Sequence, residues 1–329
     1  MKDFSVFIST ATLVILLGYI IYRESTSGSS VIVQDQSEEM GQISDPEVSE
    51  EMMVDTELRN DSLHLLPALS LDVPTSASFA GEPVPLDIPD VHERFDKELQ
   101  INTYLHSSTL FLMKRANRWL PQIDSILKEN GIPEDFKYLP LIESALLNDV
   151  SPKNAVGFWQ ILKASGKELG LEVTKEVDER YDPLKATRAA CKYLKKAYAK
   201  FGSWTLVAAS YNRGISGLSK ALENQKVKSY YDLYLNDETS RYVFRILAIK
   251  EISRHPEKYG FILKPEHLYQ TEDFRQVEVK ESIKSLIIFA NAQGINYKLL
   301  KRHNPWLRDD RLSVKKGKTY LIAIPIDKN

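Results

Sequence analysis

Three textures of hydrophobic and polar positions divide the chain. From Phe4 to Tyr22 the residues run without a charge, long enough to cross a bilayer at about 1.5 Å rise per residue. Residues 24–89 are rich in serine, proline and carboxylates, and Phe79 is their single aromatic. Such a stretch cannot bury enough apolar surface to offset the entropy of ordering it, so it reads as a disordered acidic linker. From about Val91 apolar residues recur at helical spacing.

The helical region predicts its own boundaries. Phe95, Leu99, Tyr104, Leu110, Leu112 and Met113 form one amphipathic stripe ending near Trp119-Leu120-Pro121, and Ile123, Ile126 and Leu127 form a second, stopped at Asn130-Gly131. Pro133 followed by Glu134 and Asp135 is a helix start, with carboxylates at the positive end of the dipole. That helix runs toward Leu147 with a kink at Pro140. Ser165-Gly166-Lys167-Glu168 fits a capping box. Pro183 opens a helix carrying Leu184, Ala190, Tyr193, Leu194, Ala197, Tyr198 and Phe201; Gly202 closes it, and Trp204–Tyr211 begins the next. After about Leu268 two short alternating runs, 274–279 and 319–324, bracket helix-like stretches at 281–293 and 296–303, a βααβ unit. The partition is 1–23, a signal anchor or signal peptide; 24–89, the linker; 90–268, a mainly α domain; and 269–329, the small βααβ domain.

Charge sharpens this division. The overall net charge of −2 conceals 15 carboxylates against the single Arg59 in residues 24–90, which leaves 91–329 with a surplus of 11 positive charges. A basic folded part points to an anionic partner. One cysteine, Cys191, excludes an intramolecular disulfide, and six scattered histidines include no metal-binding pair, so no metal and no cofactor is expected.

Glu143 is the candidate for chemistry. It lies in LPLIESALL, residues 139–147, beside Ser144. A carboxylate partly withdrawn from water has a raised pKa, as a general acid near neutral pH requires; an ordinary solvated glutamate on the outer face of a helix is the competing reading.

The surrounding motifs resemble those of the family 1 lytic murein transglycosylases, in particular the membrane-bound type D branch that carries LysM modules. Glu143-Ser144 matches the family's Glu-Ser, Gly157-Phe158-Trp159-Gln160 its Gly-Leu-Trp-Gln, and Asp182-Pro183 a downstream Asp-Pro. Ser210-Tyr211-Asn212 matches Ala-Tyr-Asn, and Glu238-Thr239-Ser240-Arg241-Tyr242-Val243 matches a terminal Glu-Thr-x-x-Tyr-Val. The chain departs from the pattern after Gln160, where Ile161-Leu162-Lys163 replaces Phe-Met-Pro.

The resemblance implies a goose-lysozyme-like helical catalytic domain, an SLT domain, cleaving the β-1,4 bond between N-acetylmuramic acid and N-acetylglucosamine. It implies Glu143 as the single catalytic acid and then base, closing the sugar to a 1,6-anhydro product without water. It further implies Ser144, Gln160, Tyr211, Asn212 and Tyr242 as substrate-binding residues. Trp159 and Trp204 read as core rather than as sugar platforms.

The C-terminal unit resembles a LysM module through His303-Asn304-Pro305-Trp306-Leu307 and Ile322-Ala323-Ile324-Pro325, although Lys280-Glu281-Ser282-Ile283 stands where Gly-Asp-Thr-Leu is usual. Its net charge of +5 over 270–329 suits the carboxylates of peptidoglycan; nucleic acid is not an expected partner. The implied partners are glycan strands and, through residues 4–22, the inner membrane, in the cell envelope or periplasm. Two rivals stay open: a hydrolytic muramidase on the same fold, with Asp149 or Asp182 as second carboxylate, and a non-catalytic peptidoglycan-binding scaffold.

Overall fold

A computed structural model describes residues 69–326. The proposed anchor segment and residues 24–68 of the acidic tract lie outside the described residues. Among the described residues no helix is long and apolar enough to cross a membrane.

The order begins with a hairpin, β1 (Ser78–Phe79) and β2 (Glu82–Pro83). Its loop, Ala80-Gly81, has φ of 51° and 83°, the doubly left-handed geometry that suits the twist of a tight hairpin. Alanine there is strained, and Asp135 holds it by accepting the Ala80 N–H at 2.7 Å. The expected linker therefore ends earlier than residue 89. Phe79 is fully buried and Val84 nearly so, in the core of the helical domain; the lone aromatic of the acidic tract is what docks it.

Helices α1 (Pro89–Tyr104) and α2 (His106–Glu129) follow. The predicted break at Pro121 is not observed: Pro121 sits inside α2, and the chain breaks at Leu105 instead. A proline costs a helix one hydrogen bond and a clash, and α2 bears this because Leu112, Met113, Ile123, Ile126 and Leu127 are all buried on one face. After a 3₁₀ turn at Glu134–Tyr138 comes the short α3 (Leu139–Ser144), so Pro140 marks a junction in the first turn rather than a kink in one long helix. Helix α4 (Lys163–Glu168) starts after Leu162 with no side-chain cap; the expected capping box does not form.

Helix α5 (Pro183–Phe201) is capped by Asp182, which accepts from the Leu184 and Lys185 N–H groups, and ended by left-handed Gly202. Its Cys191 is fully buried, and burial pushes the thiol up to about 11. Helices α6 (Trp204–Arg213), α7 (Ile215–Gln225) and α8 (Asp237–Arg254) complete the domain. Glu82 reaches from the hairpin to the start of α6, accepting from the Trp204 N–H at 2.6 Å, the Thr205 N–H at 2.9 Å and the Ser203 and Thr205 hydroxyls. Burial opposes its charge, but these bonds outweigh that and hold the carboxyl below its usual range. Helix α8 is apolar around most of its surface, with Tyr242, Val243, Phe244, Ile246, Leu247, Ala248, Ile249 and Ile252 buried, the mark of a central helix. Its one buried cation, Lys250, meets Asp135 at 2.6 Å.

The last unit is the expected βααβ: β3 (Phe274–Val279), α9 (Leu286–Ala292), α10 (Tyr297–His303) and β4 (Tyr320–Pro325), with β3 and β4 antiparallel and Val279 opposite Tyr320. It has its own core, of Leu286, Ala290, Leu300, Trp306, Leu307, Leu312, Ile322 and Ile324. Residues 70–326 nevertheless belong to one compact unit.

Candidate active site

Glu143 is the penultimate residue of α3, and the helix stops there abruptly. Ala145 and Leu146 both take left-handed φ, 50° and 58°, a costly choice for residues with a Cβ. Arg115 of α2 fixes this corner, donating to the Ala145 carbonyl at 2.6 Å. Arg245 of α8 donates to the Ile142 carbonyl at 2.9 Å, so arginines bracket the backbone on either side of Glu143-Ser144.

The Glu143 carboxyl keeps some solvent access but is crowded by protein atoms on most sides. It accepts the Tyr242 hydroxyl at 2.5 Å. Burial pushes its pKa up to about 7; the Tyr242 hydrogen bond and the Arg245 charge pull down, and Glu238 pushes up further. Tyr242 is buried, and desolvation with the adjacent Glu143 charge raises its phenol well above the ordinary value, so it stays protonated and donates.

The loop at 154–161 forms the next wall. Val156 and Ile161 exchange backbone hydrogen bonds at 3.1 Å, and between them Gly157-Phe158-Trp159-Gln160 turns back on itself. Gly157 has φ of 78°, and a Cβ there would stand 2.1 Å from the Arg180 carbonyl oxygen, so only glycine fits. Ser144 donates to the Phe158 carbonyl at 3.0 Å and Tyr211 to the Trp159 carbonyl at 2.8 Å. Trp159 is fully buried, its indole N–H on Thr187, which fits the reading of it as core. The Gln160 amide nitrogen, at a left-handed residue, donates to the Gly157 and Asp149 carbonyls.

Of the six sequence-derived site residues, Glu143, Ser144, Gln160, Tyr211 and Tyr242 are linked through the carboxyl and the 154–161 loop, while Asn212 bonds instead to residues at the start of α8. Glu143 and Tyr242 touch; Ser144 and Tyr211 tie the loop to the floor. Asn212 sits at the end of α6, donating to Glu238 at 3.1 Å and accepting from Thr239 at 2.8 Å. Of the two candidate second carboxylates, Asp182 is occupied as the cap of α5. Glu238 is the carboxylate whose charge acts on Glu143. The sequence reading assigned no part to Arg115, Arg180, Arg245 or Glu238; Glu238 alone lay in a quoted motif. Among the described residues no group of His, Cys, Asp and Glu is arranged to hold a metal.

A helical body, a half-buried carboxyl tuned to neutral pH and a small βααβ unit define a class, and the family comparisons agree. Residues 123–234 match the transglycosylase SLT domain, and residues 275–328 match the soluble lytic transglycosylase C-terminal LysM-like domain. The chain carries both domains. It is 28% identical over 255 residues to membrane-bound lytic murein transglycosylase D of Escherichia coli strain K12, covering 75% of this chain and 55% of that protein, and equally similar to its counterpart in E. coli O6:H1. The chain therefore spans about half the length of these curated relatives. A crystal structure of an inactive mutant of the lytic transglycosylase Slt from Pseudomonas aeruginosa matches with a TM-score of 0.34 and 18% identity, over 46% of this chain and 26% of that one.

Proposed function

We propose that this chain is a lytic transglycosylase of peptidoglycan, with Glu143 as its single acid and then base. The observation that carries the reading is the Glu143 carboxyl itself, raised to about 7 and hydrogen-bonded by Tyr242. An acid with that pKa is half protonated at neutral pH and can both give and recover a proton.

In this mechanism neutral Glu143 protonates the glycosidic oxygen, and the bond from that oxygen to C1 of N-acetylmuramic acid breaks. The N-acetyl oxygen of the same sugar supports the positive C1. The Glu143 carboxylate then takes the proton of the C6 hydroxyl as the C6 oxygen bonds to C1, restoring the acid and leaving a 1,6-anhydro end. No water is consumed, and the crowded setting of Glu143 suits its exclusion. Tyr242 holds the carboxyl in aim. Ser144 and Tyr211 hold the 158–159 carbonyls that shape the wall, and Gln160 and Asn212 supply polar edges for sugar substituents. The uncharged 4–22 segment and the acidic stretch after it suit a tethered protein of the periplasm, and the surplus cations suit carboxylate-bearing glycan strands.

Hydrolysis is the second reading, with Glu238 as a candidate second carboxylate beside the Asp149 or Asp182 of the sequence reading. A carboxylate felt by Glu143 and held by Asn212 could activate water. The decisive experiment digests isolated sacculi and reads the soluble muropeptides by mass spectrometry, with Glu143→Gln alongside. Products one water lighter than hydrolysis products, absent from the variant, support the transglycosylase. Hydrated, reducible ends that vanish in Glu238→Gln support the hydrolase. Wall binding with no product from the unaltered chain supports the scaffold.

A further inference from the structure

Residues 172–178 leave the helical domain, run against the βααβ unit and return to the cap of α5. Along that path the two domains are joined by buried packing and hydrogen bonds. Val177 is buried in the core of the βααβ unit and pairs with Leu307 across an antiparallel bridge. The Asp178 N–H donates to the Trp306 carbonyl at 2.9 Å, and the Arg308 N–H to the Glu176 carbonyl at 2.8 Å. The Glu176 carboxylate accepts from the Ser313 N–H at 2.7 Å and from Arg311 at 3.0 Å. The Arg308 guanidinium lies 3.8 Å over the Tyr181 ring. Glu172 accepts the Tyr320 hydroxyl at 3.0 Å.

Asp178 is the joint between this seam and the catalytic loop. Its buried carboxylate takes both prongs of Arg180, at 3.0 Å and 2.7 Å. The third guanidinium nitrogen donates to the Ile161 carbonyl at 3.0 Å and the Asn154 carbonyl at 3.3 Å, the two ends of the loop that carries Gly157–Gln160. The Arg180 carbonyl fills the space against Gly157 that a side chain would need. That same loop supplies the carbonyls gripped by Ser144 and Tyr211 beside Glu143. A planar fork with five fixed donors can serve a carboxylate and two carbonyls at once, which an ammonium cannot.

We propose that Arg180 is a positioning residue for the chemistry at Glu143, and that the C-terminal unit, by fixing Asp178, sets the geometry of the 154–161 loop. The unit is then a built-in part of the catalytic centre rather than only an appended wall reader. The proposal rests on the reading of Glu143 as the acid, because a misplacement of about 1 Å at such a wall costs on the order of a hundredfold in rate.

The test uses the full chain with two alterations. Glu176→Ala combined with Arg308→Ala loosens the seam at exposed or half-buried positions remote from the loop; Arg180→Lys keeps the charge and removes the fork. Three readouts are taken: amide exchange of peptides over 154–161 and 306–313, kcat and KM on solubilised glycan strands, and pull-down by sacculi. The expected result is exchange over 154–161 faster by about tenfold and kcat lower by about 10–100-fold, with KM and pull-down within about threefold. The proposal is overturned if 306–313 exchanges faster while 154–161 and kcat keep wild-type values. It is equally overturned if pull-down collapses and kcat holds, which would leave the unit a wall reader alone. If the unaltered chain turns nothing over, the acid reading of Glu143 fails, and exchange over 154–161 in the seam variant still decides whether the seam holds the loop.

Discussion

At the scale of single residues, the behaviour of the site follows from the balance acting on one carboxyl. On the proposed mechanism Glu143 acts first as a protonated acid, so kcat is expected to fall as pH rises through about 7. Tyr242 stabilises the charged form, so Tyr242→Phe should move that alkaline limb upward while lowering the rate. Glu238 opposes the charged form, so Glu238→Gln should move the limb downward. A pH–rate profile of the three proteins checks both signs, and a limb that stays put in both variants would remove Glu143 as the titrating group. The same shift bears on stability. A carboxyl whose folded pKa is raised contributes stability that is complete below its unfolded value of 4.5 and is lost as pH rises through 7. Glu143→Gln should therefore match the wild type near pH 4 and exceed it at pH 8 by as much as about 3 kcal/mol, read from urea melts at both pH values. Glu143 and Ser144 were legible because a short local motif announces them. Arg115 and Arg245 were not, since each acts on a backbone carbonyl far along the chain and an isolated arginine leaves no local pattern.

At the scale of elements, the termini with strong punctuation were readable: proline at the start of α5, glycine at its end, alternation in β3 and β4. What the sequence concealed was set by tertiary burial. Pro121 looks like a stop and is carried through by the buried stripe on either side of it; the break at Leu105 has no proline or glycine to mark it. The hairpin at Ser78–Pro83 hid inside an acidic stretch because what docks it, buried Phe79 and Val84 together with the bonds of Glu82 and Asp135, leaves no local pattern. Its Glu82 caps α6, the helix that carries Tyr211 and Asn212. Glu82→Ala is expected to cost about 1–2 kcal/mol at pH 7, at the upper end of capping effects. Since its carboxyl is held low, that contribution is present above its unfolded value of 4.5 and fades as pH falls through the depressed one. Thermal melts at pH 7 and pH 3 check this: a loss that is equal at both would mean that packing, not charge, is what Glu82 supplies.

At the scale of the molecule, the two domains were visible in the sequence as a change of texture near residue 268, but their union was not. It depends on seven residues, 172–178, and above all on Val177 among them, which lies in a core formed by residues about a hundred positions later. Two domains, one of which lends Val177 to the core of the other and pairs with it through a backbone bridge, should lose structure together. Calorimetry is expected to give a single transition for the folded part, and two peaks well apart would show that the seam carries little of the stability. One further consequence belongs to this scale. The chain has a single thiol, at the centre of α5, with its acidity suppressed to about 11. Reagents that capture thiolates will pass over the native molecule and mark it once, only when it opens. The protein thus carries an internal tally counter for its own excursions from the folded state, readable as one mass increment per molecule with no label to install.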